Sequence, residues 1–183
     1  MIDKTPFYGR KEELDRLGRL LKKKTSSLIV IKGRRRIGKS RLILEFSKGL
    51  KTFIFTGLPP TENTTEQTQR EYFIQQMERF LGTRGLKADD WGDIFWHLSQ
   101  VTQASHVLIV LDEINWMGSF DHTFLGKLKS AWDLHFKNNP KFMMILSGSM
   151  SSWIDKNILS STGFMGRISL ELTLDELPLS DCN

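Results

Sequence analysis

One octapeptide combines two glycines, a lysine and a serine at the spacing G-x-x-x-x-G-K-S, a pattern that can cradle phosphate groups. It reads Gly33-Arg34-Arg35-Arg36-Ile37-Gly38-Lys39-Ser40, and Arg41 follows it. The backbone N–H groups of such a loop and the positive end of the next helix attract anions. Lys39 would reach the β- and γ-phosphates of a nucleotide, and the Ser40 hydroxyl would ligate Mg²⁺. We therefore predict that residues 33–41 bind a nucleotide.

The segments on either side of this loop support the interpretation. Residues 27–31 form a short apolar run typical of a buried strand, and residues 41–46 have a helical pattern that Gly49 closes. The alternative is an ordinary turn with a basic surface. A strand, a glycine-rich turn and a helix N-terminus in succession favour a phosphate site, because each supplies one part of the cradle.

A second apolar run, residues 106–111, predicts a buried strand that ends in Asp112 and Glu113. Two acids at a strand end, well downstream of a phosphate loop, form the Walker B arrangement. Asp112 would orient Mg²⁺, mainly through water. Glu113 would polarise the water that attacks the γ-phosphate. The alternative is an acidic cap on a following helix, and the pairing with the phosphate loop favours the catalytic interpretation.

A third element is Ser147-Gly148-Ser149, which follows a strand predicted at residues 142–146. Ligands of parallel sheets bind outside the carboxyl ends of the strands. A hydroxyl group there could therefore contact the γ-phosphate or the attacking water. Ser147 and Ser149 are equal candidates for this role, and the alternative is a simple serine-rich turn. The Asn-Lys-x-Asp run by which GTPases read guanine is absent from the sequence, so ATP is the expected nucleotide.

The composition fits one soluble domain: 39% of the 183 residues are hydrophobic and 26% are charged. The net charge of +5 favours anionic partners such as phosphates. Scattered lysines neutralise few DNA phosphates, so nucleic acid is not expected as a specific ligand. The single cysteine, Cys182, excludes an intrachain disulfide and a thiolate metal site. Signal-peptide and membrane-span patterns are both absent from the sequence, which predicts a cytoplasmic protein without a membrane partner.

Strand and helix patterns alternate along the rest of the chain. A polar loop is predicted at residues 62–69. Further helices are predicted at about residues 11–24, 72–81, 91–102 and 124–136. Further strands are predicted at residues 52–56 and at residues 167–172, where alternation indicates an edge strand. This order predicts an α/β fold in which helices cover both faces of a parallel sheet.

Taken in order, these motifs resemble the predominantly archaeal ATPase family, on the STAND-like side of the AAA+ superfamily. The resemblance covers about residues 5–174. Besides the phosphate loop, it depends on the runs Phe7-Tyr8-Gly9-Arg10-Lys11-Glu12-Glu13-Leu14, Leu111-Asp112-Glu113, Trp132-Asp133, Leu146-Ser147-Gly148-Ser149 and Gly166-Arg167. One departure is Gly163-Phe164-Met165, where the family usually has a Pro-Leu-Tyr-like run.

The resemblance implies a three-layer α-β-α P-loop fold whose five parallel strands lie in the order 5-1-4-3-2. It implies that residues 7–10 lie near the adenine, with Arg10 among the nucleotide-binding residues. It also implies that Arg167 is an arginine finger or a nucleotide sensor. The alternative for Arg167 is a surface arginine that opens an edge strand.

The family continues into a helical lid, and this chain stops at Asn183. The expected organisation is therefore an ATPase core at residues 1–174 and a short tail at 175–183, the start of a missing lid. The expected function is Mg²⁺-dependent ATP binding with slow hydrolysis to ADP and phosphate by a mainly monomeric chain. The alternative is a nucleotide-responsive interaction module that serves an unidentified protein partner.

Overall fold

The computed structural model describes residues 7–87, 89–103 and 106–177, and these residues form one sheet flanked by helices. The strands are β1 (Ser27–Gly33), β2 (Lys51–Thr56), β3 (Val107–Asp112), β4 (Phe142–Gly148) and β5 (Ile168–Leu174). The helices are α1 (Lys11–Leu20), α2 (Lys39–Phe46), α3 (Glu66–Leu81), α4 (Trp91–Gln100), α5 (Ile114–Gly118), α6 (Phe124–Leu134) and α7 (Ser151–Ile154). A 3-10 turn at Phe136–Asn138 and a π-helical turn at Asp155–Leu159 complete them.

All strand pairs are parallel, and the strand order is β2-β3-β4-β1-β5. Read from the other edge, this is the predicted order 5-1-4-3-2, so the predicted α/β fold is confirmed. Parallel strands joined through helices have all their carboxyl ends at one edge of the sheet. The ends of β1, β3 and β4 therefore lie side by side, and these three ends carry the phosphate loop, the acid pair and the two serines.

Side chains of the central strands alternate between two apolar cores, one on each face of the sheet. Leu28 and Val30 of β1 join a large core with α3, α4 and α6, whereas Ile29 and Ile31 join a smaller core with α1 and α2. All four side chains are essentially inaccessible to solvent. Strands buried on both faces need apolar residues at consecutive positions, which explains why the sequence shows continuous apolar runs there.

The edge strand β5 behaves as its alternation predicts. Leu172 and Leu174 are buried in the smaller core, while the residues between and before them are more exposed. Its pairing with β1 brings Leu174 opposite Gly33, the first residue of the phosphate loop. The end of β5 therefore forms one wall against which that loop begins.

Element boundaries differ from the sequence prediction in three places. Helix α3 begins at Glu66, inside the predicted polar loop, because Thr65 and Thr68 cap it reciprocally. Helix α1 ends at Leu20, so the basic residues 22–24 lie beyond it rather than in its last turn. The short helices α5 and α7 and the π-helical turn were not predicted, since five or fewer residues give no periodic signal.

Within the described part of the chain, none of the helices is both long enough and apolar enough to span a lipid bilayer. Trp91 and Trp132 are buried, whereas 46% of the surface of Trp96 is exposed on α4.

The close approach of β5 to Gly33 generates a stability prediction. A Cβ atom at Gly33 would lie 2.6 Å from the carbonyl oxygen of Leu174, at a φ of +155°. We expect Gly33→Ala to lower the free energy of unfolding by about 1–3 kcal/mol, because backbone must move to relieve the contact. Chemical denaturation with urea measures the effect.

The matched control is Gly126→Ala in α6, where nothing lies within 4 Å of the added methyl group. Alanine is the better helix former, so this variant should gain about 0.5–1 kcal/mol. If both variants shifted the denaturation midpoint alike, the contact between Gly33 and Leu174 would not constrain the loop.

Candidate nucleotide-binding site

The phosphate loop, the acid pair and the start of α2 surround one open cavity at the carboxyl edge of the sheet. Its volume is about 440 Å³. The lining residues are Arg35, Arg36, Gly38, Lys39, Ser40, Arg41, Asp112 and Glu113. A slightly larger cavity, of about 510 Å³, lies at the C-terminal end of α3. It contains none of the motif residues, so size alone does not identify the site.

Backbone conformation shapes the loop around this cavity. Gly38 precedes α2 with a φ of +95°, and Arg36 has a φ of +62°. Among the described residues, the other non-glycine positions with positive φ are Arg10 and Glu113. Residues in this region are uncommon and tend to gather at functional sites. All three lie in segments that border the cavity or contact its loop.

Lys39 is the first residue of α2, and its side chain is almost fully buried. Its Nζ donates hydrogen bonds to the carbonyl oxygens of Gly33, at 2.7 Å, and Arg34, at 2.8 Å. Burial lowers the pKa of Lys39, and the charge of Arg35 adds to the lowering, while Glu113 and Asp112 oppose it. The lysine is therefore positioned inside the loop, next to both acids.

Asp112 ends β3 beside this lysine. Burial and the neighbouring charge of Glu113 raise the pKa of its carboxyl group, whereas the nearby Ser147 hydroxyl, a hydrogen bond from the Glu113 N–H and the charge of Lys39 lower it. A carboxylate that is desolvated and next to a second carboxylate gains from a nearby cation. This environment suits a ligand of a divalent metal ion.

Mg²⁺ fits the donor set of this cavity. The Ser40 hydroxyl is exposed at the N-terminus of α2, and the Asp112 carboxylate faces the same cavity. In the described part of the chain, no group of three or more His, Cys, Asp or Glu side chains could hold a metal ion. Mg²⁺ does not need such a group, because it keeps several waters and binds one or two protein oxygens together with substrate phosphates.

Glu113 lies at the N-terminus of α5 and points toward the end of β4. Its Oε2 accepts a hydrogen bond from the Ser149 hydroxyl at 2.8 Å and a weaker one from the Ser149 N–H at 3.3 Å. A φ of +51° lets the chain turn here from β3 into α5. Gly57 makes room for this turn, since a Cβ atom on it would lie 2.9 Å from the Glu113 carbonyl oxygen.

The two serine candidates occupy different environments. Ser149 contacts Glu113 directly, as described. Ser147 is fully buried, and its hydroxyl has no partner within normal hydrogen-bond geometry among the described residues, although it lies near enough to Asp112 to lower its pKa. Ser149 is thus the serine that the fold brings to the candidate catalytic acid.

Asn115 is a residue near the site that sequence reasoning missed. Its side chain is fully buried, and neither amide atom has a hydrogen-bond partner in the described structure. Its Oδ1 lies 2.5 Å from the position of a Cβ atom on Gly148. The contact sets α5 against the end of β4, so Asn115 helps to fix Glu113 relative to Ser149. The available signal in the sequence was an asparagine within the otherwise apolar residues 114–117.

Arg10 lies at the edge of the site, with its guanidinium directed at protein groups. It donates to the Glu13 carboxylate at 3.0 Å, to the carbonyl oxygen of Ile37 at 3.3 Å, and to the carbonyl oxygen of Asp175. The residue is buried and starts α1 with a positive φ. These bonds tie the N-terminal segment and the end of β5 to the phosphate loop, so Arg10 supports the loop rather than lining the cavity.

Arg167 lies at the opposite end of the strands from the cavity, where their amino ends meet. It immediately precedes β5, whose first residue pairs with Leu28 at the start of β1. Seven residues of strand, about 20 Å, separate it from the cavity. Arg167 is therefore not among the residues that line the cavity, and its role as a nucleotide sensor stays a prediction. A finger role toward a second molecule stays untested.

Arg167 forms a two-pronged ion pair with Asp133 of α6, with Nε–Oδ1 at 2.8 Å and Nη2–Oδ2 at 2.9 Å. This pairing lowers the pKa of Asp133 to about 2. Lys129 of the same helix also approaches the carboxylate, at 3.3 Å. The pair joins two of the runs on which the family resemblance depends, and it fastens β5 to α6.

Solved structures of archaeal ATPases share this fold. The Walker-type ATPase PABY2304 of Pyrococcus abyssi has a TM-score of 0.65 and 17% identity, over 96% of this chain and 55% of that one. The ORC2 protein of Aeropyrum pernix, solved as ADPNP and ADP complexes, has a TM-score of 0.62 and 19% identity, over 95% and 50%. The STAND protein PH0952 of Pyrococcus horikoshii has a TM-score of 0.54 and 18% identity, over 96% and 24%.

Sequence comparison gives a more specific result. An uncharacterised protein of Methanocaldococcus jannaschii, MJECL04, is 26% identical over 161 residues, which are 88% of this chain and 34% of that protein. The chain thus spans about a third of this relative and about half or less of the similar solved structures. The model of the ATPase domain found predominantly in Archaea matches residues 7–178. Since that match covers nearly the whole chain, the protein belongs to this family of archaeal-type ATPase domains.

Proposed function

We propose that this chain binds ATP together with Mg²⁺ and hydrolyses it slowly to ADP and phosphate. The observation that carries the proposal is the convergence of Lys39 and Ser40 with Asp112 and Glu113 on one open cavity. The cavity sits at the carboxyl edge of a parallel sheet, where nucleotides bind in this fold class. Membership of an ATPase family supports the same chemistry.

Each residue has one task in this proposal. The backbone N–H groups of the loop and Lys39 bind the β- and γ-phosphates. Ser40 and Asp112 hold Mg²⁺, which supplies neutralising charge when bound. Glu113 orients the water that attacks the γ-phosphorus and accepts its proton. Ser149 positions the Glu113 carboxylate through the hydrogen bonds described above.

Openness of the cavity favours slow turnover. Arg34, Arg35 and Arg36 on one side of the loop are exposed, so solvent reaches the phosphate site. Water weakens the electrostatic stabilisation that the loop can give to developing charge. We therefore expect turnover of the isolated chain below the ~1 s⁻¹ at the low end of ordinary enzymes.

The contact between Glu113 and Ser149 favours a second candidate function, a nucleotide-responsive interaction module. The Glu113 carboxylate oxygen Oε2 already accepts two hydrogen bonds from Ser149, which leaves it less free to orient an attacking water. The protein would then use ATP binding mainly to hold a conformation for a protein partner. Single-turnover measurement of phosphate release separates the two functions, because the module binds ATP without releasing phosphate.

Replacing the loop lysine tests the binding site. Lys39→Ala should weaken binding of Mg·ATP at least about 10-fold, because a charge-assisted hydrogen bond to phosphate is worth about 1.5–3 kcal/mol. Calorimetric titration with ATP and with GTP measures affinity and base preference together. The control is Lys48→Ala, which removes an exposed lysine just beyond α2. Equal affinities in Lys39→Ala and the control would contradict the site assignment, and tighter GTP binding would contradict the base assignment.

Glu113→Gln tests the hydrolytic role. The variant should keep its affinity for Mg·ATP and lose turnover by about 10²–10⁴-fold, the usual contribution of a general base. Steady-state phosphate release and calorimetry give the two numbers. Glu62→Gln, at an exposed carboxylate outside the cavity, is the control and should change neither. Hydrolysis at the wild-type rate in Glu113→Gln would show that another group activates the water.

Asp112→Asn should separate stability from binding. Because burial raises the pKa of Asp112 above its unfolded-state value, its ionised form costs folding free energy at pH values above that unfolded pKa. At pH 7 the variant should therefore melt at a higher temperature than the wild type when no nucleotide is present. The difference should shrink as the pH falls through the raised pKa of the native carboxyl group, and it should vanish below the unfolded-state pKa.

The same variant should lose the extra thermal stability that Mg²⁺ adds to the ADP complex. Thermal melts at several pH values, with and without Mg·ADP, measure both effects. Asp15→Asn, an exposed carboxylate on α1, is the control and should leave the melting temperature nearly unchanged. A lower melting temperature of Asp112→Asn without nucleotide would contradict the unfavourable environment assigned to this carboxylate.

A further inference from the structure

Arg35 lines the same cavity as Lys39, and its guanidinium rests on an aromatic ring. Its guanidinium carbon lies 5.4 Å from the ring centroid of Trp116, within the range of a cation–π contact. Both Arg35 and the candidate catalytic acid Glu113 line the cavity. Among the described residues, no carboxylate lies within ion-pair distance of Arg35. Its charge is thus directed at the site without being neutralised.

Trp116 is fixed to the catalytic segment. Its backbone N–H donates to the carbonyl oxygen of Glu113 at 2.8 Å, and its Cβ packs 3.1 Å from the position of a Cβ atom on Gly57. The indole is therefore held one turn along from Glu113, between the ends of β2 and β3. A guanidinium resting on this ring is therefore attached to the element that follows the acid pair, in a cavity that the acids also line.

Three other arginines are placed differently. Arg34 has 86% of its side chain exposed and faces Glu176, 3.8 Å away. Arg10 donates to backbone carbonyl groups and to Glu13. Arg167 lies at the far edge of the sheet, paired with Asp133. Arg36 and Arg41 line the cavity as well, and Arg35 is the arginine that rests on Trp116, in the element that follows Glu113.

Four basic residues line the cavity, Arg35, Arg36, Lys39 and Arg41, and such cations repel one another until an anion enters. The charge of Arg35 contributes to the lowered pKa of Lys39, which reports this repulsion. A triphosphate relieves this repulsion better than a diphosphate, because its terminal phosphate adds negative charge at the end of the loop. The two acids repel that phosphate, and a nearby cation offsets their repulsion. The fork of an arginine can bind two oxygens of that phosphate at once.

We propose that Arg35, held over Trp116, is a γ-phosphate-binding group that lets this single chain distinguish ATP from ADP. The proposal rests on the nucleotide site proposed above and deepens it by assigning the terminal phosphate to a side chain of the same molecule. In hydrolysis, Arg35 neutralises charge on the γ-phosphate oxygens while Glu113 accepts the proton of the attacking water. No second subunit is needed to supply this cation.

Affinity for two ligands tests the assignment: Mg·ADP and the hydrolysis-resistant analogue Mg·AMPPNP, titrated by calorimetry. Arg35→Ala should weaken AMPPNP binding at least about 10-fold and ADP binding less than about 3-fold, because only AMPPNP carries the third phosphate. Arg35→Lys should recover part of the loss, since it keeps the charge without the fork. Arg84→Ala removes an exposed arginine beyond α3 and should change neither affinity.

A double-mutant cycle tests the role of the ring. Trp116→Leu should weaken AMPPNP binding about 2–5-fold in the wild-type background, in line with a cation–π contact at an exposed site. The same substitution should have no effect on AMPPNP affinity when Arg35 is already alanine. Thermal melting of each variant, with Trp116→Phe as the conservative replacement, shows whether the effect follows the ring rather than the stability of the fold.

Failure of the inference is distinguishable from failure of the proposed function. If the wild-type chain bound neither ADP nor AMPPNP, both would be overturned. If it bound both but Arg35→Ala weakened them equally, or no more than Arg84→Ala, the nucleotide site would stand and the assignment of Arg35 would fall. Additive effects of Trp116→Leu and Arg35→Ala would overturn the part played by the ring.

Discussion

Strand β1 has no face in contact with solvent, and the phosphate loop is its direct continuation. Its side chains fill both apolar cores, and its backbone pairs with β4 on one side and β5 on the other. Any displacement of β1 would therefore disturb two cores and two ladders together. This constraint fixes where Gly33 leaves the sheet, and the loop, Lys39 and the start of α2 follow from that point. The position of the phosphate loop therefore depends on the burial of β1.

Pairing of the parallel strands then determines which chemical groups meet. Because β4 lies between β1 and β3, the end that carries Ser149 reaches the turn after β3, where Glu113 accepts its hydrogen bonds. At the opposite end of the strands, Arg167 before β5 pairs with Asp133 of α6. The polar groups named here thus lie at two ends of the sheet: those of the candidate site at the carboxyl ends of the strands, and the ion pair of Arg167 at the amino ends. The fold therefore places Arg167 away from the other motif residues that the sequence analysis connected with nucleotide binding.

Charged side chains are concentrated at the carboxyl ends of the strands, which costs the ligand-free protein folding free energy. A buried lysine, two adjacent carboxylates and a ring-held arginine share one cavity, and the pKa of Asp112 is raised while that of Lys39 is lowered. Three non-glycine residues with positive φ, Arg10, Arg36 and Glu113, surround the same place among the described residues. Such unfavourable electrostatics and backbone geometry are relieved when a ligand of matching charge binds. Perturbed pKa values and positive φ angles gathered at one place are typical of functional sites.

Local pattern was enough for the parts of the protein whose chemistry depends on neighbours in the sequence. The spacing of Gly33, Gly38, Lys39 and Ser40, the acids after β3, and the alternation of strands with helices are all written in short windows, so the α/β fold and the loop could be predicted. The start of α3 at Glu66 was mistaken because a threonine pair replaces the usual acidic capping partner. Tertiary structure decided what depends on residues far apart: the choice of Ser149 over Ser147 as the partner of Glu113, the use of Arg10 to tie the loop to the end of β5, the distance of Arg167 from the cavity, and the placement of Arg35 on Trp116. Each of these is set by strand order and register, which bring together segments tens of residues apart and leave no trace in a local window.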